Sequence, residues 1–199
     1  QWQTISYKIK VKDTGHEDDG QQTDTVKIKS IHTDSHIYFL VSWSDTSYDK
    51  THKTWIWNET EKRYENGADR EDVLSLAFQH TNTFNPDMLA GIESAWDTWY
   101  WKAARTDPGG YAMDKMHYYS KTKPDIKAKS FEANDGSIIW IARPEDQGDS
   151  PQKKQKAPAI FSGNSVAKYI SGTPTGSAAD VVAKGTWHNG TWHVELARK

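Results

Sequence analysis

The residues of this 199-residue chain that could do chemistry are eight histidines, three methionines and ten tryptophans. The histidines stand at positions 16, 32, 36, 52, 80, 117, 188 and 193, scattered along the chain. No His-Glu-x-x-His pair, Gly-x-Ser-x-Gly elbow, phosphate loop or dinucleotide fingerprint occurs. His32 and His36 flank the start of a strand, and His188 and His193 fall in a terminal hairpin, all as surface or edge positions. Glu17-Asp18-Asp19 offers hard oxygen ligands for calcium or forms a solvated turn. Glu71 and Asp72 are neighbours, so on a strand they face opposite sides and make a poor acid–base pair. No catalytic unit assembles.

The methionines are Met88, Met113 and Met116. A thioether is a soft, neutral ligand suited to haem iron. Met88 lies in Asn85-Pro86-Asp87-Met88-Leu89, shortly before WDTWYWKAARTDPGGY (96–111). On a strand, Trp99 and Trp101 share one face and Tyr100 takes the other. Two readings stay open. In one, this is the central strand of a core and Met88 packs under its loop. In the other, the rings wall a pocket for something flat and apolar, and Met88 projects over it.

Composition narrows the classes. A net charge of -2 and a pI near 6.5 give a nucleic-acid partner little electrostatic support. The absence of cysteine excludes disulfides, thiolate metal sites, iron–sulfur clusters and covalent c-type haem. No apolar run reaches membrane-span length. The chain begins at Gln1, which fits a mature exported protein, periplasmic or extracellular.

The elements that must position these residues are strands. Alternating patterns mark residues 7–12 and 25–31, and the apolar run 36–43 reads as a central strand buried on both faces. Shorter strands are expected at 55–58, 73–78, 97–104 and 137–142. Residues 58–70 read as polar and irregular, 120–131 as basic and polar, and 143–157 as a charged, flexible loop. Asn189-Gly190, between alternating residues, marks a closing hairpin over 181–198. The whole reads as one all-β sandwich over residues 1–199, immunoglobulin- or DOMON-like, with long decorated loops.

Three segments in order carry a resemblance: EDVLSLAF (71–78), AWDTWYWKAARTDPGGYAMDK (95–115) and KGTWHNGTWHVELAR (184–198). They resemble the haem-binding domain of the ethylbenzene dehydrogenase gamma-subunit family, which includes haem b subunits of dimethyl sulfide, selenate and chlorate oxidoreductases. The resemblance implies a sandwich related to DOMON and family 9 carbohydrate-binding domains, holding one haem between sheets and loops. In non-covalent members a Met and a Lys hold the iron, and the Met precedes the Trp-rich strand. That places the axial ligand at Met88, with Trp99 and Trp101 lining the pocket. Some relatives carry a Cys-x-x-Cys-His insertion where this chain reads FQHTNTFNPD, so the haem expected here is non-covalent, of b type. In the family the second ligand lies beyond the hairpin, past Lys199 of this chain. The sequence is therefore expected to be truncated there, to take its last strands from elsewhere, or to use another ligand, with His80 the next candidate within it.

The implied function is electron transfer between a carrier and a partner, which is an iron–sulfur or other redox subunit or a soluble cytochrome. Two other readings use the same fold. One is a carbohydrate-binding module that stacks sugars on Trp55, Trp57 and an exposed ring of the Trp96–Trp101 group. The other is a structural or interaction domain whose pocket is plugged by side chains.

Overall fold

The computed structural model of the chain describes residues 5–12, 23–80, 83–144 and 147–199. His16 and the Glu17–Asp19 turn lie outside them. Fifteen strands follow in order: β1 Ile5–Lys12, β2 Thr23–His32, β3 Ile37–Ser44, β4 Trp55–Asn58, β5 Arg63–Asn66, β6 Val73–Gln79, β7 Ser94–Lys102, β8 Met113–Ser120, β9 Ala128–Glu132, β10 Ile138–Ala142, β11 Gln152–Lys154, β12 Ser165–Val166, β13 Tyr169–Ser171, β14 Val181–His188 and β15 Thr191–Arg198. Among the described residues there is no α-helix, only two short 3-10 turns, Asp107–Gly109 and Gly176–Ala179. The architecture is an all-β sandwich. One five-stranded sheet has the order β1-β2-β3-β15-β14 and the other β6-β7-β8-β10-β9; small sheets β12-β4-β5 and β11-β13 decorate them.

The core between the large sheets follows from strand alternation. From the first sheet come Val41, Trp192, Val194, Leu196, Val181 and Ala183, and from the second Trp99 and Trp101, with Phe39, Phe78, Leu74 and Leu76 packed around them. Trp101 is fully buried and meets Trp192 edge-on at 5.0 Å and Trp43 at 6.3 Å. A Cβ on Gly185 would lie 2.3 Å from Cζ2 of Trp101, so the indole needs a glycine on the facing strand. The β14–β15 hairpin turns at Asn189 and Gly190, with φ of 49° and 72°, the left-handed pair that a two-residue hairpin demands.

Three expectations are corrected. β3 is central, between β2 and β15, but only Val41 in it is fully buried. An antiparallel sheet of a two-layer sandwich keeps one face toward solvent, so the outer side chains Tyr38 and Leu40 are merely partly covered. Residues 58–70, expected to be irregular, contain β5; β9 starts within the basic stretch 120–131, and β8 (113–120) lies unmarked between that stretch and the Trp-rich strand. The charged stretch 143–157 contains β11, paired with β13, and a fully buried Pro151.

Candidate functional site

The outer face of the second sheet is built by register. Tyr100 pairs with Met113, Thr98 with Lys115 and Trp96 with His117, so these six side chains share the face opposite Trp99 and Trp101. Two covers lie over it. On one side Leu89 of the loop 83–93 joins Trp96, Tyr119, Ile139 and Ile141 in a second apolar cluster. On the other, β11 brings Gln152 Nε2 to 3.6 Å from Met113 Sδ. Between β8 and this second cover opens a cleft of about 320 Å³, lined by Met113, Asp114, Lys115, Pro151, Gln152 and Tyr169 among others.

The chemistry of the outer face around this cleft is unusual for a sheet surface. Lys102 and Met113 are both buried, at 4% exposure each, and Lys102 Nζ donates to Met113 Sδ at 2.8 Å. The same ammonium lies 4.4 Å from the centre of the Tyr100 ring. Gln152 Oε1 and Thr98 Oγ1 are buried with no hydrogen-bond partner. Burial, then the charges of Arg143 and Lys115, push the His117 imidazole down to about 4. Burial raises the Tyr119 phenol.

The loop that ends the Trp-rich strand is held by buried carboxylates. Asp107, fully buried, accepts from Trp101 Nε1 at 3.0 Å and from the Gly185 amide at 2.6 Å. Lys184 Nζ reaches its Oδ2 at 3.3 Å and Lys50 Nζ at 3.6 Å. Gly110 follows in the left-handed region, at φ 80°, and lets the chain turn back toward β14. Glu71 pairs with Arg105 and accepts the Ala104 and Arg105 amides. Beside it the His52 imidazole is shifted down, by burial first and the Arg105 charge second. At the other end of the interior Arg198 of β15 bridges Asp97 at 2.5 Å and Asp114 at 3.1 Å. These acids are structural pins: each is occupied by the loop or strand it holds.

The four expected site residues are not brought together. Trp99 and Trp101 lie between the sheets, at 3% and 0% exposure. Met88 lies in the loop 83–93 and is 53% exposed. His80 is exposed at the end of β6, its amide bonded to Ala95 O at 2.9 Å. The sequence did not mark Lys102 or Gln152, and it gave no reason to prefer Met113 among the three methionines. The signal available was a lysine next to Trp101 in an otherwise aromatic strand.

For a haem, the interior and the cleft give different answers. The space between Trp99, Trp101 and the first sheet is filled by Phe39, Phe78, Trp43 and Trp192. The cleft fits such a group in donor type. Its lining offers the Met113 thioether, the Tyr169 ring, and Lys115 and Lys154 for carboxylates, beside the Asp114 carboxylate; the Lys102 amine lies behind the Met113 sulfur. Gln152 Oε1 waits there without a donor. For stacked sugars, the named rings lack a flat open row. Lys168 Nζ caps Trp55 at 4.0 Å, and Trp57 meets Tyr64 and Phe161 edge-on. Among the described residues no cluster of three or more His, Cys, Asp or Glu could hold a metal ion, and no helix is long and apolar enough to cross a membrane.

Comparison with characterised proteins and with solved structures finds no match. The family comparison does: a model described as ethylbenzene dehydrogenase matches residues 2–199, which span all three motif segments and both large sheets, and the chain belongs to that family.

Proposed function

We propose that this chain is an exported electron-transfer subunit of an oxidoreductase that binds one non-covalent haem b. Its partners on this reading are an iron–sulfur or other redox subunit, or a soluble cytochrome, outside the cytoplasm. The observation that carries the reading is the family match along residues 2–199. Haem supplies a one-electron iron centre, and the protein binds, orients and tunes it.

The chain's own residues have definite tasks. Met113 presents a thioether at the floor of the cleft, with Lys102 donating to its sulfur. An iron that took the sulfur lone pair would displace that hydrogen bond. Met88 offers a second thioether from the loop 83–93, where the resemblance places the ligand. His80, at the foot of that loop, is a further nitrogen donor. Tyr169, Pro151 and Ala178 supply the apolar part of the cleft wall. Lys115 and Lys154 are placed to take anionic edges. Trp99 and Trp101 act from behind, fixing β7 against the first sheet.

The test is a visible spectrum of the natively purified protein, and of apoprotein titrated with hemin, oxidised and then dithionite-reduced. The reading expects a Soret band and sharpened α and β bands on reduction. Met113→Ala and Met88→Ala then divide the ligand question, since only the true ligand's loss abolishes the low-spin spectrum. Native protein without a Soret band that also fails to take up hemin would sink the reading. That result would favour the second one, a haem-free interaction subunit, for which the filled interior between the sheets is the supporting observation.

A further inference from the structure

The first sheet carries a concavity on its solvent face that neither the core nor the cleft explains. Its volume is about 550 Å³, within the range of small-molecule sites. The ladder sets Ile31, Tyr38, Ala197 and Val182 side by side across four strands. Alternation would make this outer row polar. Instead it is apolar, with Tyr38 37% and Val182 47% exposed. The next outward row runs Lys29, Leu40, Glu195, Lys184. Leu40 therefore extends the apolar floor between a cation and an anion.

Charge orients what could lie there. Lys184 is committed, its Nζ donating to Asp107 O at 3.1 Å and Oδ2 at 3.3 Å. Glu195 stands directly opposite Lys184 on the ladder and keeps that end of the groove unfavourable to anions. Lys29 has no ion-pair partner among the described residues, and Lys27 follows it on the same face of β2. One strand, β3, lies between Lys29 and Glu195, so two strand spacings set them roughly 10 Å apart. The groove thus has an apolar body, a cationic end at β2 and an anionic side at β15.

We infer that this groove binds a small amphipathic monoanion, a free carboxylic or sulfonic acid whose apolar body lies on Ile31, Tyr38, Leu40, Ala197 and Val182 and whose charge faces Lys29. The apolar row supplies the area and Lys29 the polarity of the pose. The site stands apart from the cleft on the other sheet, so it does not depend on the haem reading.

The test is a fluorescence titration of the full chain with anilinonaphthalene sulfonate, followed by displacement with decanoate and with decanol. Saturable one-site binding is expected, with decanol needing about tenfold more than decanoate to displace the dye, as loss of one charge-assisted contact implies. Lys29→Glu should weaken decanoate about tenfold and leave decanol unchanged, on the same contact. Leu40→Glu should abolish dye binding. In the native protein, decanoate should shift the backbone amide resonances of Leu40 and Ala197, a readout that needs no variant. Unsaturable dye binding, unmoved amides at Leu40 and Ala197, or indifference of decanoate to Lys29→Glu would each overturn the inference.

Discussion

Asp107→Ala is the most informative single change to the scaffold. The carboxylate is fully buried and is the acceptor for two neutral donors, Trp101 Nε1 at 3.0 Å and the Gly185 amide at 2.6 Å. Alanine leaves both without a partner in a closed space. Each orphaned donor costs about 1–3 kcal/mol, which sums to roughly 2–6 kcal/mol. Lys50 and Lys184 add little, because their side chains are 33% and 62% exposed and their ammonium groups recover water. Against a domain stability of about 5–15 kcal/mol this is a large share. With a urea m-value of about 2 kcal/mol/M, the midpoint should fall by about 1–3 M. Asp107→Asn keeps an acceptor oxygen and should cost clearly less. The mechanism is tested by the cycle with Trp101→Phe, since without the indole N–H the alanine should cost at least about 1 kcal/mol less. A midpoint shift below about 0.5 M at unchanged m, or strict additivity in the cycle, would refute the reasoning.

Three further outcomes are expected. Gly185→Ala should destabilise by about 1–3 kcal/mol in urea unfolding, because its Cβ would sit 2.3 Å from Trp101 Cζ2 and neither β14 nor the indole can step aside. Thr98→Val should be neutral or stabilising by up to about 1 kcal/mol, since the hydroxyl it removes is buried without a partner and the shape is kept; a clear loss of thermal stability would contradict that. His117 has its folded pKa lowered to about 4 from 6.5, so the unfolded chain binds the extra proton first. Its contribution is intact above about pH 6.5 and is lost as pH falls toward 4, and a histidine-resolved NMR titration with a midpoint near 6.5 would refute the assignment.

Most of the large-sheet strands could be read because their chemistry is periodic or punctuated. Asn189-Gly190 specifies its own turn, and VLSLAF and SIIWIA carry enough β-branched and aromatic mass to declare strands. β5, β9 and β11 (RYEN, AKSFE and QKK) have no such signature. They are strands because a neighbour offers a ladder: β9 lies beside β10, and β11 beside β13. Pairing of that kind is a tertiary fact. β8 (MDKMHYYS) hides differently, since its two methionines face opposite sides, its Asp114 is buried and its Lys115 is half-buried. The site was legible as an aromatic concentration but not as a location. Trp99 and Trp101 announce a dry environment without saying which side of β7 it lies on. The Lys102–Met113 pair needed the register of two strands to be found.

The position of β15 has a consequence for how the chain is made. It is the last strand in chain order, yet it lies in the interior of its sheet, with β3 on one side and β14 on the other. As the polypeptide leaves the ribosome, β3 has to wait, one edge unpaired and Phe39, Val41 and Trp43 uncovered, until Thr191–Arg198 emerges. The contacts that complete the sheet join residues such as Ser44 and Thr191 and are among the most distant in the chain. Such closure is slow and leaves a sticky edge exposed meanwhile. A nascent chain of this kind gains from a holding chaperone, and a stop codon ahead of β15 would strand both β3 and β14 at once.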